Sequence, residues 1–227
     1  MTAVKNILFD FDGTLMDTWP GIAATLRASL RTLDIPIHED AITRTLVGIP
    51  LLKVFEELLG NDTVRADLAA RKYRELFPVV GKSGARPYKG VVRLLDELTT
   101  KGRESFLVTA RNEVIAKQMM VDHGLDGFFT WVRGEREGEA PDGKAHMVAE
   151  VLEMFNLDPD DCVMVGDRRY DIDAALINGM KAVGVTYGYG TVEELTSAGA
   201  GRIVGSIEDL GKALLNNQVR GIADRES

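Results

Sequence analysis

The sequence predicts an α/β protein, a doubly wound parallel sheet into which a helical domain is inserted. Three features carry that prediction. Short apolar runs alternate with amphipathic segments over most of the chain, the alternation stops between about Thr18 and Ala85, and several apolar runs end on polar or acidic residues.

The apolar runs are NILFD, SFLVTA, FFTWVRG, CVMVGD, KAVGVTYG and RIVGS. Each is short and rich in β-branched or large apolar residues, as a strand buried on both faces should be. Between them VVRLLDELTTKG, EVIAKQMMVDHG, HMVAEVLEMFNL and IEDLGKALLNN place apolar residues at helical spacing, several with Gly or Asn just past the end. Strands alternating with helices imply right-handed crossovers and hence a parallel sheet. The segments GIAATLRASLRTL, EDAITRTL, LLKVFEELLG and TVRADLAARKYRELF follow one another with no strand between, so each reads as a helix of the insertion. GKSGARPYKG, with its glycines and proline, suits a hinge back to the sheet. The expected division is a core of residues 1–17 and 86–227 and a cap of residues 18–85, with a frayed polar tail from Gln218.

Composition narrows the function classes. The 227 residues carry a net charge of -8 with no cluster of Lys and Arg, which argues against a nucleic-acid surface. The single cysteine, Cys162, rules out an internal disulfide and suggests a reducing compartment. No basic-then-apolar leader and no membrane-length apolar run are present, so a cytoplasmic protein is expected.

The stretch FDFDGTLMDT sets Asp10, Asp12 and Asp17 just past the first apolar run. Carboxylates crowded there repel one another unless a cation or a chemical task offsets the cost. In an open parallel sheet, ligands bind at the carboxyl ends of the strands. Thr109 in LVTAR and Asp167 in VMVGDRRYDI occupy two further such ends.

Together DFDGTLMD, VTAR, a lysine at 144 and GDRRYD resemble the four motifs of the haloacid dehalogenase superfamily of phosphohydrolases. WPGI, GIPLLKVFEELLG and YGYGTVEEL resemble its phosphoglycolate phosphatase and 5'-nucleotidase-like branch. The resemblance implies a Rossmann-like core with a helical cap that closes over it, Mg²⁺ as cofactor and a small phosphorylated metabolite as partner. It implies Asp10 as nucleophile and metal ligand, and Asp12 as general acid and base whose backbone carbonyl also meets the metal. Asp167 is implied as the third ligand, with Asp171 supporting the metal through water or by a hydrogen bond to one of its ligands. Thr109 and Lys144 are implied to stabilise the transferring phosphoryl group.

Several residues keep a second reading. The family usually sets its lysine directly before a proline, whereas Pro141 lies three residues ahead of Lys144. A solvated helix lysine is the alternative, with Arg133 and Arg136 as other cations. Thr109 is also an ordinary strand residue. Asp17 could cap or brace the loop. Tyr187 and Tyr189 could border a pocket or pack under a glycine-rich turn, and Tyr73 and Arg74 could select substrate or serve the cap. The expected activity is a Mg²⁺-dependent phosphatase. Its rivals are a phosphoglucomutase-type transfer, a dehalogenase and a non-catalytic regulator that binds phosphorylated metabolites.

Overall fold

The computed structural model describes residues 4–36, 38–136, 143–216 and 218–219. Pro141 and the tail beyond residue 219 lie outside the described residues. By its contacts the chain divides into two compact units, one running to Met16 and resuming at Pro87, the other spanning Asp17–Arg86.

The first unit is built on β1 (Asn6–Phe9), β4 (Glu104–Asn112), β5 (Trp131–Glu135), β6 (Cys162–Gly166), β7 (Lys181–Val185) and β8 (Arg202–Val204). They form a parallel sheet in the order β5-β4-β1-β6-β7-β8. Two-residue strands β2 (Met16–Asp17) and β3 (Arg86–Pro87) pair where the chain leaves and rejoins this unit. Helices α4 (Val91–Thr100), α5 (Glu113–Asp122), α6 (Gly143–Met154), α7 (Arg169–Ile177) and α8 (Val192–Ala198) lie on the connections between its strands, and α9 (Ile207–Leu215) follows β8. The β1, β4 and β6 runs are apolar because both faces of the sheet are covered. Leu8, Phe106 and Met164, for example, are sealed under Val148 and Val151 of α6 and Ile172 and Ala175 of α7.

The strand order reverses beside β1. The chain adds β4 and β5 on one side, then crosses back to lay β6, β7 and β8 on the other. A crevice therefore opens at the carboxyl ends of β1, β4 and β6, where such folds place their ligands.

The second unit holds α1 (Trp19–Thr32), α2 (Leu51–Leu58) and α3 (Thr63–Val80) around a core that includes Leu26, Leu30, Phe55, Ala66 and Ala70. EDAITRTL is not the expected helix. It forms 3-10 turns at Glu39–Ala41 and Arg44–Leu46, with Ile42 and Thr43 extended between them. β-Branched Ile42, Thr43 and Thr45 lose rotamer freedom in a helix, and the core is met instead by Ile42, extended just past the first turn, and by Leu46 of the second. Tyr73 packs edge-on to Phe55 and against Phe77, so its ring belongs to this core, whereas Arg74 is exposed. Asp17 braces the start of α1, its Oδ1 accepting from the Trp19 amide at 3.3 Å. Among the described residues no helix is long and apolar enough to cross a membrane.

Candidate active site

Register assembles the site. Phe9 lies opposite Leu107 of β4 and Val165 of β6, so Asp10, Thr109 and Asp167 all fall just past the same level of the sheet. The Asp10 amide continues the ladder by donating to the Val165 carbonyl at 2.9 Å. Asp10, Thr109, Asp167 and Asp171 are all buried.

Asp10, Asp167 and Asp171 each offer a carboxylate oxygen within 4.8 Å of the others. Lys144, from the first turn of α6, reaches into this cluster, its Nζ 2.8 Å from Asp10 Oδ1 and 2.5 Å from Asp171 Oδ1. The second Asp171 oxygen accepts from the Arg168 amide at 3.0 Å, which ties the start of α7 to the cluster. Asp167 Oδ2 accepts from the Tyr189 amide at 2.7 Å. Thr109 is buried within β4, short of the strand's end at Asn112, its hydroxyl oxygen accepting from the Arg111 amide at 3.2 Å. Arg133 and Arg136, the other cations weighed from the sequence, are engaged elsewhere, as are Arg168 and Arg169. Arg133 pairs with Glu150, Arg136 with Glu113, Arg168 with Glu194 and Arg169 with Asp173.

Asp12 stands apart from the three clustered carboxylates and has its own partner. Arg111 forks onto it, Nη2 at 2.6 Å from Oδ1 and Nε at 3.0 Å from Oδ2. Arg111 was not singled out from the sequence. The available signal was its period-two spacing from Thr109, which repeats on one face of a strand.

Burial pushes the Asp10 carboxyl up to about 7 against the pull of Lys144, with the charges of Asp171 and Asp12 adding to the rise. Asp167 is pushed well above the usual carboxylate range by burial first, then by Asp171 and Asp10. Burial alone would lower the Lys144 ammonium, but Asp10 and Asp171 hold it above its ordinary value. Three carboxylates thus face one ammonium. The donors are hard oxygens, buried and convergent, and they fit a divalent cation such as Mg²⁺.

The sign of these shifts predicts a pH dependence. A carboxyl raised on folding keeps a proton that the unfolded chain has lost, so rising pH weakens folding until the raised value is passed. In chelator, the melting temperature should fall from about pH 5.5 to about pH 7.5, above the window of the lowered carboxylates. Calorimetry of Asp10→Asn should show a shallower fall. An unchanged slope in that variant would place the effect elsewhere.

The family model for haloacid dehalogenase-like hydrolases matches residues 7–185. A 5'-nucleotidase of Pseudomonas aeruginosa is 33% identical over 190 residues, 84% of this chain and 86% of that protein. A phosphoglycolate phosphatase of Neisseria meningitidis is 30% identical over 220 residues, 91% of this chain and 92% of its own. The crystal structure of "a predicted phosphatase" from Clostridium acetobutylicum superposes with a TM-score of 0.87 at 33% identity, covering 95% of this chain and all of its own. The match runs through β1, β4 and β6 and takes in the acidic cluster of Asp10, Asp167 and Asp171, and the chain accordingly belongs to the haloacid dehalogenase-like hydrolases, as a phosphoric monoester hydrolase.

Proposed function

We propose that the chain is a Mg²⁺-dependent phosphatase of a small phosphomonoester and works through a phosphorylated Asp10. The observation that supports this most directly is the division of the acidic residues: three converge on one point beside Lys144, while Asp12 is held separately by Arg111.

Asp10, Asp167, Asp171 and the backbone carbonyl of Asp12 are the residues that would hold the cation. When bound there, Mg²⁺ supplies the positive charge that lets an anionic carboxylate approach an anionic phosphate. Asp10 attacks phosphorus with a carboxylate oxygen, and the bond from phosphorus to the ester oxygen breaks. Asp12 gives its proton to that departing oxygen. It then takes a proton from water, whose oxygen attacks phosphorus and releases inorganic phosphate and free Asp10. Thr109 supplies a hydroxyl and Lys144 a fixed positive charge to the phosphoryl oxygens. The ion pair to Lys144 also restrains Asp10 at its strand end before substrate arrives.

The substrate belongs to a small set: a glycolate-type phosphate, a nucleoside monophosphate or a sugar phosphate. The names of two relatives favour the first two. Purified protein with Mg²⁺ should release phosphate from members of such a panel, and ranking them by kcat/KM identifies the substrate. Chelator should abolish turnover, and Ca²⁺ should restore it poorly because its looser coordination misplaces the attack. Full activity in chelator would overturn the metal-dependent reading. Isomerisation of a sugar phosphate without phosphate release would favour transfer to a second hydroxyl.

A further inference from the structure

The segment between β7 and α8, Thr186–Thr191, reads TYGYGT and belongs to neither element. It lies directly on Asp167. The Tyr189 amide donates to Asp167 Oδ2 at 2.7 Å. A Cβ on Gly188 would stand 2.3 Å from the Gly13 carbonyl oxygen and 2.5 Å from Asp167 Cβ and Oδ2. A Cβ on Gly190 would stand 1.9 Å from the Asp167 carbonyl oxygen. Both glycines are therefore needed by what they touch.

The same loop grips the turn that follows β1. The Tyr187 hydroxyl donates to the Thr14 carbonyl at 3.1 Å, and its ring meets Tyr88 at 5.0 Å between centroids. Burial pushes the Tyr187 phenol up, so it remains a donor. The Thr14 hydroxyl in turn lies 3.5 Å from Asp167 Oδ1. Gly13, at φ +81°, lets the turn pass beside Asp167, where a Cβ would meet Oδ2 at 2.3 Å. The loop thus touches both the turn that follows Asp10 and Asp12 and the carboxylate at the end of β6.

We infer that the Thr186–Thr191 loop is a positioning clamp for cation binding: its Tyr189 amide pins Oδ2 of Asp167 and so sets the carboxylate's orientation, and its Tyr187 hydroxyl fixes the turn that follows Asp10 and Asp12. An unpinned carboxylate must be ordered by the ion at the moment of binding, whereas a pinned one is ordered beforehand. The loop therefore acts on metal affinity, and Tyr187, Gly188, Tyr189 and Gly190 are positioning residues. The inference rests on the reading of the acidic cluster as a cation site.

The test is direct binding of Mg²⁺ or Mn²⁺ to the full chain by titration calorimetry, with the metal-induced rise in melting temperature as a second readout. Groups that support metal ligands typically contribute roughly ten- to a hundred-fold to affinity. Gly188→Ala should therefore weaken binding about ten-fold or more, and turnover should recover substantially at saturating Mg²⁺. Tyr187→Phe keeps the ring on Tyr88 and loses one hydrogen bond, so it should weaken binding by about two- to ten-fold. It carries the test if the alanine variant does not fold. Wild-type affinity in the folded variants overturns the clamp alone, as does a loss of turnover that saturating metal cannot restore. Absence of binding by the wild-type chain overturns the cation site and the clamp together.

Discussion

Asp10→Asn should lose turnover by roughly 10⁴-fold or more while keeping its fold. An amide carries no charge with which to attack phosphorus, and no other carboxylate can take over. Asp167 and Asp171 belong to the same cluster but are held by the Tyr189 amide, the Arg168 amide and Lys144. The substitution also removes a buried charge from a self-repelling group, so the melting temperature in chelator should hold or rise near neutral pH. That separates lost chemistry from lost structure. Turnover above about one per cent of wild type, in protein freed of deamidated Asp, would remove Asp10 as nucleophile.

The second large effect concerns Asp12, and its size should depend on the leaving group. General acids contribute roughly 10²- to 10⁴-fold where the departing oxygen needs a proton. An alkoxide needs one, and p-nitrophenolate leaves without it. Asp12→Asn should therefore lose far more kcat/KM on a sugar or glycolate phosphate than on p-nitrophenyl phosphate. In kcat the two losses should converge, because water attack on the phosphorylated Asp10 needs Asp12 as base whichever alcohol has left. Arg111→Ala should reproduce the pattern at smaller size, since the fork that holds both Asp12 oxygens is gone while the carboxyl remains. Equal losses in kcat/KM for both leaving groups, with chemistry limiting, would sink the assignment of Asp12 as acid.

The strands and the acidic cluster were legible in the sequence because their causes are local. NILF and CVMVG are continuous apolar runs that only a doubly covered sheet can use, and DFDGT and GDRRYD carry their carboxylates at the ends of those runs. The helices α7 and α8 were not marked. RYDIDAALI buries Ile172 and two alanines beside the buried Asp171, and VEELTSA buries only Leu195, so neither shows a strong apolar stripe. Arg111 was passed over because its partner, Asp12, lies 99 residues away and no local spacing couples them. Lys144 was placed by family resemblance, while a helix position alone could not tell a solvated lysine from one drawn between two carboxylates. The glycines of TYGYGT look like an ordinary turn until Asp167 is set against them, since what forbids a side chain there is a tertiary contact.

The equal register of β1 against β4 and β6 has a consequence for synthesis of the chain. β1 is made first, yet its partners emerge roughly 100 and 150 residues later. At about 5–20 residues per second, that leaves the central strand without its neighbours for several seconds to half a minute. The Asp17–Arg86 unit emerges in that interval, and its helices pack largely on one another, so it has the means to fold while β1 waits. A nascent chain ending before Cys162 has Asp10 but neither Asp167 nor Asp171, and the acidic cluster cannot exist in it. Ion binding is thus a late event that reports on completion of the sheet, and retention of Mn²⁺ by stalled chains of increasing length would mark the moment at which β6 docks beside β1.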